Sequence, residues 1–354
     1  MDSRERVLKV LNGEKPDRVP FLELLVDTGF SDKILHSEKS GSRSTQNRFT
    51  DLPVLTVPCQ GGNLKETRTL IETLKLDAIG ISFWIKHLGV GGEIDGRQIF
   101  SGSTIETIDD VMSIRFPDPH DDRLYEPLKI FLEEMRDTGK ALYCVSNLGS
   151  DPVILGLGFE NFCMDIYTKR EVVTEMLNRY SEWQAEVFKV LSKMDFDFFW
   201  TTDDIAFKTS TYISPDDIRD LLMPGYKKVA AHISKPWIYH SDGDLNAILD
   251  DLLDLGMNAI HPIEPGPVNL AELYRKYSNK ISFVGHIDIN DLSEGTPELI
   301  EALVIQSLEA CNGGYRYLCG SSNTITNYCK PENVMAMQEA IFRYGNFGKN
   351  GNKN

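Results

Sequence analysis

Short continuous apolar runs alternate along this chain with stretches whose apolar residues recur every three or four positions. The runs centre near residues 20, 80, 143, 198, 238, 260, 284 and 317, eight in all. A continuous run suits a strand buried on both faces, as in a parallel sheet. The wider spacing is that of a helix with one apolar stripe. Leu124, Leu128, Phe131, Leu132 and Met135 follow it over 123–138, and Leu245, Ile248, Leu249, Leu252 and Leu253 follow it behind the strand at 236–242.

Turn and cap residues divide these elements. Ser3 is placed to cap an opening helix over 2–13, with Val7, Leu8 and Leu11 as its stripe and Asn12-Gly13 as its stop. Thr168 and Glu171 have the spacing of a capping box for a helix to about Lys193. Ser214-Pro215 and Thr296-Pro297 open two more helices. Asp95-Gly96, inside 89–105, predicts a tight hairpin projecting as an insertion. Ser37 to Thr50 reads as a polar loop. Eight βα alternations predict an α/β fold of the (β/α)8 TIM-barrel type, with an N-terminal helical extension and the hairpin insertion. Residues 1–344 form one domain in this reading and 345–354 a Gly/Asn/Lys-rich flexible tail. An open doubly wound sheet is the alternative. The first strand lacks a G-x-G-x-x-G turn behind it, which lowers the dinucleotide-binding version of that fold.

The barrel predicts where chemistry gathers, because sites form at the carboxyl ends of barrel strands. Asn147, Asp203, Asp204, His240, Asp242, Glu264, His286, Asp288 and Cys319 all fall at or just past strand ends. His240 and Asp242 are two apart and share a face. His240, Asp242, Glu264 and Cys319 are ligand types that zinc accepts. Read one at a time, each has a plain structural role as well. His240 can be a satisfied core histidine, Cys319 a small buried hydrophobe and Asp242 a helix cap. Asp203 or Asp204 is placed to orient a substrate or support His240, and equally to be a solvated acid. His286 and Asn147 are candidate pocket donors. Trp84, Phe83 and Trp200 are candidates for holding an aromatic ring, with core packing as their other reading.

Composition narrows the partners. Net charge is −16 with no basic block, which disfavours nucleic acid and anionic membranes. No run approaches the length of a membrane span, and the first residues lack the apolar stretch of a signal peptide. The six cysteines are scattered without a CxxC pair, as expected for a cytoplasmic protein without a disulfide framework.

Several motifs together resemble the uroporphyrinogen decarboxylase-like family across essentially the whole chain. They are Ser3-Arg4-Glu5-Arg6-Val7-Leu8 with Lys15 to Pro20, Gly158 to Phe162, Asp203-Asp204, His240-Ser241-Asp242-Gly243, Asn258 to Pro265, and Pro331-Glu332-Asn333-Val334. The resemblance implies a βα barrel. The family's porphyrinogen decarboxylases carry an arginine-rich motif after the first strand. Here that place reads Glu23-Leu24-Leu25-Val26-Asp27-Thr28-Gly29, without arginine. The other branch is the cobalamin-dependent methyltransferases, which bind zinc through His-x-Cys, a distant cysteine and often a carboxylate. The resemblance then implies zinc on His240 and Cys319, with Glu264 as the carboxylate and Asp242 standing where thiol-activating members have cysteine.

A hard oxygen ligand in place of a thiolate leaves a more Lewis-acidic metal, suited to an ether oxygen. The expected activity is therefore removal of a methyl group from a methoxylated aromatic ring, with transfer to cob(I)alamin on a separate corrinoid protein. Other readings are thiol methylation from methylcobalamin, demethylation of a methylamine or betaine, decarboxylation, and a non-catalytic docking scaffold for a corrinoid protein.

Overall fold

The structure is a computed structural model that describes residues 1–36, 54–85, 90–94, 97–266 and 268–347. The polar stretch 37–50, the Asp95-Gly96 turn and the tail beyond 347 lie outside the described residues. Seven parallel strands run in sequence order around one curled sheet: Ala78–Ser82, Ala141–Ser146, Phe198–Thr202, Trp237–His240, Ala259–His261, Ser282–Ile287 and Tyr317–Ser321. The segment at Phe21 lies between the first and last of them. Phe21 pairs in parallel with Cys319, and the Leu22 amide donates to the Cys319 carbonyl at 3.0 Å. On the other side the Asp77 amide donates to the Phe21 carbonyl at 2.9 Å. These bonds close the ring, and the (β/α)8 barrel expected from the sequence is the observed architecture.

The strands' two-residue period sorts the core into two clusters. Tyr143, Val145, Phe198, Trp200, Ile238, Ala259, Val284 and Leu318 fill the barrel. Their alternates, among them Leu142, Cys144, Phe199, Tyr239, Ile260, Phe283, Tyr317 and Cys319, pack in the cluster shared with the surrounding helices. Continuous apolar runs are needed because both faces are buried.

The amino end of the barrel is plugged by the helix Ser3–Leu11. Its Val7, Val10 and Leu11 join the interior cluster, and the Val10 carbonyl accepts from the Ser282 hydroxyl at 2.7 Å. Beside it Asp77 is fully buried and accepts from Arg6 at 2.8 Å and from both Arg18 amino groups at 2.8 and 2.9 Å. Arg6 also bonds Asp17 at 2.7 Å. A buried carboxylate persists only when paired and hydrogen-bonded. The opening Arg6…Asp17-Arg18 motif is thus a closure of the barrel floor, on the side away from the polar strand ends.

Local corrections are few. Asp2, rather than Ser3, caps the first helix, its side chain accepting from the Glu5 amide. The Thr168–Glu171 capping box does not form. A helix at Phe159–Thr168 ends there instead, with the Thr168 hydroxyl donating back to the Met164 carbonyl, and Arg170–Leu191 follows with no side-chain cap. Ser214 and Thr296 do cap their helices. Val90–Ile94 and Arg97–Gly102 pair antiparallel, with Ile94 opposite Arg97. All six cysteines are free. Among the described residues no helix is long and apolar enough to cross a membrane.

Candidate metal centre

At the carboxyl ends of the central strands, Asp204, His240 and Asp242 offer ligand atoms that all lie within 4.8 Å of one another. His240 Nε2 is 3.5 Å from Asp204 Oδ1 and 3.8 Å from Asp242 Oδ1. The strand Trp237–His240 puts Ile238 and His240 on its inner side, and the loop after it brings Asp242 round to the same side. That loop turns at Gly243, whose φ is +90° and whose missing Cβ would stand 2.5 Å from the Ala206 and Phe207 carbonyls. Only glycine fits there without strain. The Asp242 amide donates to Asp204 Oδ1 at 2.8 Å, locking the two strand ends together.

Asp242 is the electrostatic focus. Its Oδ2 accepts from Asn323 Nδ2 at 2.7 Å. Its Oδ1 is buried with no hydrogen-bond partner. Burial pushes this carboxyl up to about 6, against the pull of His240 and with the push of Asp204 and Glu264. Asp151 is raised well above the usual carboxylate range, first by burial and then by Asp203 and Asp204. A buried oxygen without a partner, set among crowded acids, is a place that would suit a cation. The donor set, one imidazole nitrogen and two carboxylates, is one zinc accepts.

Behind His240 stands His261, in register with it on the neighbouring strand and 1% exposed. Their Nδ1 atoms are 2.6 Å apart. The rings of Trp200 and His261 pack edge to face, 4.9 Å between centroids. Burial holds the His261 imidazole well below its ordinary range, so it stays neutral.

The other predicted residues take different places. Asp203 is engaged away from the Asp204–His240–Asp242 group. Its carboxylate accepts from the amides of Leu148, Gly149, Ser150 and Asp151 and from the Ser150 hydroxyl, and so holds the start of the helix Ser150–Leu157. Burial raises it to about 6 even with these donors. Glu264 is adjacent but engaged elsewhere, by Lys208 at 2.8 Å and the Gly243 amide at 3.0 Å. Cys319 lies apart from the Asp204–His240–Asp242 group. It sits on the outer side of its strand, packed in the helix-side cluster with Cys311, and takes a hydrogen bond from the Tyr317 hydroxyl at 3.5 Å. Burial pushes its thiol up to about 12. Alternation turns it away from the face that carries His240, and the cluster of ligand atoms does not include it. This placement matches the small buried hydrophobe of the alternative reading.

Asn147 is buried and bonded to Tyr180, and its carbonyl accepts from Gln184, which is a structural placement. His286 donates from Nδ1 to the Ile263 carbonyl at 2.6 Å with a backbone φ of +106°, a conformation L residues rarely hold. Phe83 stacks on Tyr125 on the helix side. Trp84 is half-buried against the interior cluster. Trp200 is fully buried, and its Nε1 lacks a partner.

Sequence reasoning missed an aromatic group on the rim. Phe159, Phe207 and Tyr212 pack edge to face, with centroids 4.6 to 5.7 Å apart, and Phe207 is 49% exposed. The Phe207 carbonyl accepts from the Asp244 amide, so the group borders the Asp242 loop. Burial lifts the Tyr212 phenol upward, and Asp204, Asp151 and Asp242 add to it. It also missed Asn323, His261 and Glu23. Glu23 is buried and takes both the amide and the hydroxyl of Ser321, at 2.9 and 2.5 Å; burial raises it to about 8.

Residues 71–344 match the family model described as uroporphyrinogen decarboxylase (URO-D), and the chain belongs to that family. Among solved structures, a methyltransferase from Methanosarcina mazei superposes with a TM-score of 0.76 at 17% identity, covering 97% of this chain and 98% of that one. This likeness shows a shared fold. A B12-independent methionine synthase from Shewanella sp. W3-18-1 follows at a TM-score of 0.42 and 12% identity, covering 75% of this chain and 71% of that one. A xyloglucan-specific β-1,4-glucanase from a ruminal metagenomic library reaches 0.47 at 6% identity, covering 92% and 94%. A search among curated proteins finds no match.

Proposed function

We propose that this member of the uroporphyrinogen decarboxylase family is a zinc-dependent methyltransferase of the corrinoid-dependent kind. In this reading it removes a methyl group from a methoxylated aromatic ring and passes it to cob(I)alamin carried by a separate corrinoid protein. The observation that carries the reading is the Asp204–His240–Asp242 cluster with its unpartnered buried oxygen on Asp242. Zinc held there supplies a Lewis acid for the ether oxygen whose bond to methyl must break.

The chain's own residues account for the rest. Three protein ligands leave a position for substrate, the pattern of catalytic rather than structural zinc sites. Neither near carboxylate is a thiolate, so the ligand set favours an oxygen donor over binding and activating a thiol. Asn323 fixes one oxygen of Asp242 and leaves the other for the cation. The rings of Phe159, Phe207 and Tyr212 offer faces and edges on which an arene stacks at the rim. Their exposure also gives a corrinoid protein an apolar surface to meet.

Decarboxylation of a porphyrinogen fits less well. After the first strand stand Glu23, which is buried against Ser321, and Asp27, which caps the helix Thr28–Ile34. The strand ends are crowded with acids that repel a polycarboxylate. An acidic cluster beside three aromatic rings does suit a quaternary ammonium donor as a second reading, because both attract a cation.

The test is a cob(I)alamin methylation assay over methoxyarenes, methylamines and betaine, with metal analysis of the same preparation. Turnover of a methoxyarene by zinc-loaded protein supports the reading. Turnover of betaine alone moves it to the second reading, and full activity in metal-free protein ends both.

A further inference from the structure

The pairing of His240 with His261 assigns a role to a residue outside the ligand cluster. Two Nδ1 atoms at 2.6 Å are too close to face each other as bare lone pairs or as two N–H groups, so one proton lies between them. Which ring owns it is decided one step further back. His261 Nε2 lies 3.4 Å from the Ser321 carbonyl, a group that can only accept. The proton of His261 is therefore on Nε2. The ring is 1% exposed, its polar partners are a neutral carbonyl and another imidazole, and the Trp200 ring packs against it. A second proton on it would be an unpaired buried charge. His261 Nδ1 is the acceptor, and His240 Nδ1–H is the donor.

The Ser321 carbonyl is itself held in place. Glu23 accepts from both the amide and the hydroxyl of Ser321, so this residue is tied to the start of the barrel at two points. The series Glu23, Ser321, His261, His240 crosses the barrel mouth without relying on solvent.

We infer that His261 is a positioning residue: by accepting the Nδ1 proton of His240, it holds His240 in the tautomer whose bare Nε2 faces Asp204 and Asp242. The inference rests on the metal-centre reading for its purpose, and on the hydrogen-bond geometry alone for its existence. Without His261, His240 would gain by placing its proton on Nε2, where two carboxylates accept it at the cost of the metal. Residues that orient a ligating histidine in this way are worth about 10- to 100-fold in metal affinity.

The experiment uses the full chain, metal-free, with ¹⁵N-labelled histidine. Long-range ¹H–¹⁵N correlations assign the His240 tautomer in the wild type, His261→Phe and His261→Gln. Competition with a chromophoric chelator gives the zinc affinity of each. The expected result is an Nδ1–H tautomer for His240 in the wild type and a shift to Nε2–H in His261→Phe, with zinc binding weakened about 10- to 100-fold. His261→Gln, whose side-chain carbonyl still accepts, restores the wild-type tautomer and most of the affinity. An Nε2–H tautomer in the wild type overturns the inference, as does an unchanged tautomer in folded His261→Phe. An Nδ1–H tautomer in a wild type that takes up no zinc supports the hold of His261 on His240 and instead removes the metal reading.

Discussion

Asn323 donates a 2.7 Å hydrogen bond to Asp242 from 81 residues further along the chain. It joins the loop after the last barrel strand to the loop after the strand that carries His240. One oxygen of Asp242 is thereby fixed, and the other is left buried and unpartnered beside His240. Asn323→Ala should leave folding intact and weaken zinc binding by about tenfold, the scale for groups that orient a ligand. Metal titration with a competing chelator reads this directly, and undiminished affinity would mean the bond is incidental.

The ligand assignment separates two residues that the sequence ranked together. Purified protein should carry about one zinc per chain. His240→Ala and Asp242→Asn should lose most of it. Cys319→Ala should keep it and show only the modest stability loss of a small buried side chain, about 1 kcal/mol. Elemental analysis of the three variants decides the matter. Loss of zinc in Cys319→Ala would return the thiol to the ligand set.

Asp203 should behave as a scaffold residue. Its carboxylate serves four backbone amides at the start of the helix Ser150–Leu157. Asp203→Ala should cost about 2–3 kcal/mol, the range for bonds to a charged group plus the buried donors left behind. Denaturant unfolding measures the loss, and the protein that remains folded should bind zinc normally.

Glu23 gives stability a pH dependence whose sign can be worked out. Its carboxyl ordinarily ionises at 4.5 and does so near 8 in the folded chain, because burial penalises the charge. Below 4.5 the carboxyl is neutral in both states, and its contribution to stability is fully present. As pH rises towards 8 the unfolded chain ionises first, and that contribution is lost. Glu23→Gln removes this dependence. Its melting temperature relative to wild type should rise between pH 5 and pH 8, by on the order of several degrees. Parallel pH profiles for the two proteins would exclude the shift.

Phe207 tests the rim. It is 49% exposed, so Phe207→Ala should change stability by less than about 0.5 kcal/mol. Removing one face of the aromatic group should raise KM for a methoxyarene by roughly three- to tenfold, the scale of one aromatic contact. Steady-state kinetics with the corrinoid acceptor saturating would show it.

The local pattern of this chain determined the architecture. Runs apolar on both faces cannot sit at a solvated sheet, and the helical stretches between them leave a parallel barrel as the compact solution. The same pattern placed His240, Asp242 and Asp204 at strand ends, and those three do meet. Tertiary structure alone decided which way the remaining side chains face. Tyr317-Leu318-Cys319 is apolar throughout, so nothing in its sequence says which alternate residue points into the barrel, and a one-residue change of parity moves a side chain across the sheet. That is why Cys319 reads as a ligand and proves to pack under helices. Asp203 and Asp204 are neighbours on opposite sides for the same reason. His261 did leave a trace, since it ends its strand in register with His240. Its meaning came only from the 2.6 Å between two nitrogens that adjacent parallel strands bring face to face. Asn323 left none, because a loop residue is placed by where the ring of strands closes, and that closure is a property of the whole chain.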